Sequence, residues 1–201
     1  MADRTKYMDA REVKLLRATA ENRAVHDLKA GRKGGVLAWA VVDTALSTGL
    51  RVGEIAALKV GDVDGKRGGL TVTRLKRKKP EAETLAIGPD LAEHLREFIA
   101  WKADAGEPVG RADALFAGKR GPLTTQGLQQ IWKAAIRRAG LPAELSIHSA
   151  RHTMAVHLLG RTGNLRQVQK QLGHASPATT ANMYADVTFS DMQDGVAGLY
   201  E

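Results

Sequence analysis

Apolar residues recur at helical spacing over most of the chain, with one interval of strand-like alternation near its centre. Asp9 followed by Glu12 forms a capping box that opens a helix, Ala10 to about Ala20, with Val13, Leu15 and Leu16 on its apolar side. Residues 29–35 read as a basic, flexible loop. The stretch 36–47 is apolar nearly all round, which predicts a buried core helix ended by Gly49. A short helix follows over 51–58; it places Arg51 and Glu54 on one side and turns Ile55 and Leu58 to the core. After Asp62 the period shortens. Residues 70–75 and 84–87 read as strands, joined by a charged hairpin tip, Lys-Arg-Lys-Lys-Pro-Glu at 76–81.

Helical spacing returns at Pro89 and runs to about Ala103, with Leu91, Leu95, Phe98 and Ile99 apolar. Residues 104–123, rich in Gly and Pro, form a loop around a short buried piece at 114–116. Thr124 or Thr125 caps the next helix, which reaches Ala139 and is stopped by Gly140, with Leu128, Ile131, Trp132 and Ile136 inward. Further helices occupy 148–184, and Ser190 caps a last short one ending near Leu199. There is no repeat and no clear linker, so the expectation is one domain over 1–201, mainly α with a small antiparallel β-sheet.

Composition narrows the chemistry. With no cysteine, disulfides, thiolate metal sites and cysteine nucleophiles are excluded. Hydrophobic content of 43% supports a core, but aromatics at 4% leave its packing to Ala, Leu and Val. The formal charge of +8 favours a polyanionic partner. The N-terminus lacks an apolar signal region and no stretch approaches a membrane span, so a soluble, intracellular protein is expected.

The candidate chemistry concentrates in the last third. His148-Ser-Ala-Arg-His at 148–152 sets His148 and Arg151 three apart, on one helical face. Leu172-Gly-His then reads as a helix, a glycine stop at Gly173 and an exposed His174. Ser176 caps a new helix with Pro177 at its first position and Tyr184 about two turns in. Phosphodiester cleavage needs a nucleophile, cations on the nonbridging oxygens and an acid for the leaving alkoxide. Two arginines supply a bidentate grip that lysine cannot match. Glu54 could orient Arg51 from behind. His152 and His157 read as structural, and no third ligand supports a zinc site from His148 and His152.

Together these residues resemble the tyrosine recombinase (phage integrase) family over about residues 9–199. Thr48-Gly-Leu-Arg-Val-Gly-Glu-Ile looks like its first arginine box, His148-Ser-Ala-Arg-His-Thr like its second, and Leu172-Gly-His with Tyr184 like its third. Ala150 stands where the second box usually has leucine, and Tyr184 lies ten residues beyond His174, within the family's range. The resemblance implies the DNA breaking-rejoining fold and a catalytic set of Arg51, Lys76, His148, Arg151, His174 and Tyr184. Tyr184 would attack the scissile phosphate, leaving a 3′-phosphotyrosyl link and a free 5′-hydroxyl. Arg51 and Arg151 would hold the nonbridging oxygens, and His148 and His174 would donate to the same phosphate.

The family's general-acid lysine sits on a hairpin. Lys76 matches it best, with Lys78 and Lys79 as competitors or as DNA-phosphate contacts. The implied enzyme is a site-specific DNA recombinase that needs neither metal nor cofactor. It would act on double-stranded DNA as a homotetramer, with a monomer possible in isolation, in the cytoplasm of a prokaryote or encoded by a phage or other mobile element. Rival readings are a type IB topoisomerase-like nicking-closing enzyme and a DNA-binding regulator that does not cleave. The family's usual N-terminal core-binding domain is not seen in the sequence, and 190–199 offers Met192, Val196 and Leu199 as a docking face.

Overall fold

The structure is a computed structural model, and it describes residues 7–64, 68–74 and 81–173. Seven α-helices and two small antiparallel sheets are present among them: α1 (Ala10–Lys29), α2 (Gly34–Thr48), α3 (Val52–Ala56), β1 (Val63–Asp64), β2 (Gly69–Arg74), β3 (Glu81–Ala86), α4 (Pro89–Asp104), β4 (Ala117–Gly118), β5 (Gly121–Pro122), α5 (Thr125–Arg138), α6 (Ile147–Thr162) and α7 (Leu165–Leu172). The mainly helical class with a small sheet is as expected from the sequence.

Helix α2 is the axis of the molecule. Ala40, Val41, Val42, Ala45 and Leu46 are all buried on it, and α1, α4, α5 and α6 pack around it. Small side chains on a helix that is buried nearly all round let four neighbours approach closely, which suits a chain so poor in aromatics. Three aromatics, Phe98, Phe116 and Trp132, are nevertheless buried, and the Trp132 indole N–H donates to the Leu145 carbonyl at 2.8 Å.

Several details differ from the sequence reading. Helix α1 runs nine residues beyond Ala20, because its later inward positions are Ala24 and Asp27, which carry little apolar signal. Leu15, expected on the apolar side, is 48% exposed, and it is Leu16 that is buried. The short helix is only Val52–Ala56, with Arg51 at its N-cap; Leu58 is buried from the turn that follows. The loop 104–123 contains the β4–β5 ladder, and its buried piece is held by Lys102. That ammonium is fully buried, donates to the carbonyls of Ala114 and Leu115 at 2.8 and 3.0 Å, and is pulled below the usual lysine range by burial.

The central sheet has three strands in the order β1-β2-β3, one more than expected, since β1 is only two residues long. Strand β2 buries Leu70, Val72 and Arg74 on one face at the strand's period of two. Strand β3 starts at Glu81, three residues earlier than its apolar part suggests, and pairs Leu85 with Leu70, Glu83 with Val72 and Glu81 with Arg74.

Candidate active site

Arg51, Glu54, His148 and Arg151, singled out in the sequence, are presented by α3 and α6. The approach to α3 is built from the end of α2. The Thr48 hydroxyl donates to Thr44 O at 2.6 Å and accepts from Leu50 N at 3.3 Å, so the chain turns immediately after the helix. Gly49 makes that turn at φ +63°, and an added Cβ would stand 3.0 Å from Leu172 Cδ2 and 2.5 Å from Met154 Cε. Only glycine accommodates both the left-handed backbone and this close packing. Arg51 then caps α3, and Glu54 reaches back to it twice: Oε2 accepts from the Arg51 backbone N–H at 2.9 Å, and Oε1 from Nη1 at 3.1 Å. The carboxylate thus orients Arg51 from behind, while a quarter of the arginine side chain remains at the surface.

Arg151 comes from the second turn of α6 and is 3% exposed. Its Nη1 donates to Gly49 O and its Nη2 to Leu172 O, each at 2.8 Å. One guanidinium therefore joins the turn before Arg51 to the end of α7. Its pKa is pulled down to about 10, first by burial and then by the charges of Arg51 and Arg74, against the opposing effect of Glu54. Arg151 remains a cation at neutral pH, and adjacent positive charges of this kind create a field suited to an anion.

His148 lies one turn before Arg151 and is exposed, with its ring edge-on to His152 at 4.8 Å between centroids. A cleft of about 440 Å³ beside it is lined by Val52, Gln129, Lys133, Ser146, Ile147 and His148, which places His148 on the same side as the start of α3. Helix α7 is seated on α6 through Met154, Ala155, Val168 and Leu172, a small core of its own. Gly173 ends α7 at φ +63°, as the sequence suggested. Lys76, Lys78, Lys79, His174 and Tyr184, and the helix expected over 190–199, lie outside the described residues.

One residue of this centre was not singled out in the sequence. Arg74 is 1% exposed and pairs with Glu54 at 3.3 Å and Glu83 at 2.9 Å. The signal was available: Arg74 continues the inward alternation of Leu70 and Val72, and a cation on a buried strand face requires carboxylates around it. Among the described residues no group of three His, Asp or Glu side chains converges as a metal site. No helix of those residues is long and apolar enough to cross a membrane.

The family described as "Phage integrase family" matches residues 6–191. A tyrosine recombinase XerD of Corynebacterium glutamicum is 32% identical over 156 residues, covering 77% of this chain and 50% of the relative. The chain spans about half the length of such curated relatives. Among solved structures, the XerA recombinase superposes with a TM-score of 0.75 at 23% identity, over 97% of this chain and 65% of its own. The XerH site-specific recombinase bound to difH substrate, in a pre-cleavage complex, superposes with a TM-score of 0.73 at 23% identity, over 98% and 55%. These two likenesses establish the fold.

Proposed function

The chain belongs to the phage integrase family, and on that footing we propose that it cleaves and rejoins double-stranded DNA at specific sites through a phosphotyrosyl intermediate. The observation that carries the reading is the arginine pair. Arg51 is oriented by Glu54, Arg151 is fixed to the turn just before it, and the two guanidiniums lie close enough for one to depress the other's pKa. Such a preorganised pair suits the two nonbridging oxygens of one phosphodiester, whose charge grows in the pentacovalent transition state.

In this reading the Tyr184 oxygen forms a bond to phosphorus as the bond to the deoxyribose 5′-oxygen breaks. The phenol proton passes to a base, for which His148 is suited, and Lys76 gives a proton to the departing 5′-oxygen. His148 and His174 donate to the same phosphate. The 5′-hydroxyl of a partner strand then reverses the step, and because the phosphotyrosyl link conserves the bond energy, no nucleotide or metal is required. Strand exchange needs two sites held together, so the acting species is a homotetramer on DNA. Residues 1–201 serve as its catalytic unit, with 190–199 docking on a neighbouring protomer.

The test uses a nicked duplex carrying the sequence that the protein enriches from randomised DNA. Wild type should accumulate an adduct stable to denaturant, and Tyr184→Phe should bind the duplex but form none. An adduct surviving in Tyr184→Phe, or mapped to Tyr7 or Tyr200, overturns the assignment.

A further inference from the structure

The buried arginine of β2 has three partners on three elements. Its Nε donates to Glu83 Oε2 of β3 at 2.9 Å, its Nη1 to Glu54 Oε2 of α3 at 3.3 Å, and its Nη2 to Gln171 O in α7 at 3.0 Å. Gly173 packs directly on the guanidinium, and a Cβ there would collide with Arg74 Nε and Cζ. The glycine that ends α7 is thus required by Arg74 as well as by its backbone angle.

We propose that Arg74 is a positioning residue for strand cleavage: it acts through Glu54 on Arg51 and locks β2, β3 and the end of α7 into one register around the arginine pair. The inference rests on the proposed function. Glu54 divides its oxygens, with Oε1 on the Arg51 guanidinium and Oε2 shared between the Arg51 backbone and Arg74. Glu54 is a carboxylate only 1% exposed, and Arg74 supplies its second cation and fixes the plane from which Arg51 is held. Three divergent donors are needed for this, and the planar guanidinium provides them where an ammonium on a flexible stem does not.

The experiment is a double-mutant cycle on the nicked duplex used above, measuring single-turnover adduct formation and DNA affinity in the full chain. Arg74→Lys should fold and bind DNA within about twofold of wild type, but cleave roughly 10²-fold more slowly, the loss expected when a reacting group is displaced by about an ångström. In an Arg51→Ala background the same substitution should change the rate by no more than about twofold, because the residue it positions is already gone. A general loss of stability would instead slow both backgrounds equally.

If Arg74→Lys fails to fold, Glu83→Gln removes one of the clamp's carboxylates from its more exposed side and should show the same coupling to Arg51. Unchanged cleavage, or equal losses with and without Arg51, overturns the inference while wild-type adducts leave the proposed function standing. Absence of any adduct from wild type takes down both.

Discussion

Arg151 Nη2 donates to the carbonyl oxygen of Leu172 at 2.8 Å, so the second arginine box and the end of α7 are one structure. The same guanidinium holds Gly49 O, while among the described residues the side chain of Arg51, its companion in the pair, holds Glu54. The two arginines thus share one proposed task on the phosphate but differ in what they do for the fold.

Their alanine variants should separate accordingly. Arg151→Ala strips the donor from two backbone carbonyls, and a buried polar group left unsatisfied costs roughly 1–3 kcal/mol. Arg51→Ala removes a partly exposed side chain and leaves Glu54 paired with Arg74, so its stability loss should stay below about 1 kcal/mol. Both should lose roughly 10²–10³ in cleavage rate, the usual cost of removing one donor aimed at developing charge. Urea unfolding beside single-turnover cleavage checks the contrast; equal destabilisation by the two variants would contradict it.

The lysines of the 76–79 run are separated by leaving-group chemistry. A general acid matters when the 5′-oxygen must be protonated, whereas a phosphate contact matters for any substrate. Lys76→Ala should cleave slowly on the normal 5′-oxygen and recover on a 5′-bridging phosphorothiolate, whose thiolate departs unaided. Lys78→Ala and Lys79→Ala should lose mainly affinity, with a shallower salt dependence by about 0.9 in log–log slope for each phosphate contact removed. Rescue of Lys78→Ala or Lys79→Ala instead of Lys76→Ala would move the general acid along the hairpin.

Local chemistry was legible in the sequence; long-range pairing was not. The Arg51–Glu54 partnership follows from i,i+3 spacing at a helix start, and the Gly49 and Gly173 stops from glycine's access to positive φ. The Glu54–Arg74 pair spans 20 residues, Arg74–Gln171 spans 97 and Arg151–Gly49 spans 102, and no spacing rule reaches that far. Arg74 was passed over because a lone charge in a strand reads as the solvent side unless its alternation with Leu70 and Val72 is counted. The length of α1 was lost for a related reason: alanines and a buried Asp27 fill its inner face without raising the apolar signal.

Asp27 supplies a pH dependence with a defined sign. It sits in the last turn of α1, accepts from Arg32 Nε at 2.9 Å and faces Arg23 at 3.6 Å. It also abuts the first turn of α2, where an added Cβ on Gly35 would stand 2.7 Å from Asp27 Oδ2. The Arg32 hydrogen bond holds its carboxyl below the usual carboxylate range; burial opposes this, and the charges of Arg32 and Arg23 and a bond from the Gly35 backbone reinforce it. A carboxyl whose folded pKa is depressed contributes stability that is present above its unfolded pKa, about 3.9, and is lost as pH falls through the folded value. At neutral pH, Asp27→Asn should therefore be less stable than wild type, by about 1 kcal/mol or less because Arg32 is more than half exposed. The difference should persist to about pH 4 and then close as wild-type Asp27 takes up its proton. Urea denaturation of both proteins across that range reads the effect directly. A stability gap that widens on acidification would mean that the carboxylate at the α1–α2 junction is not held by its arginines.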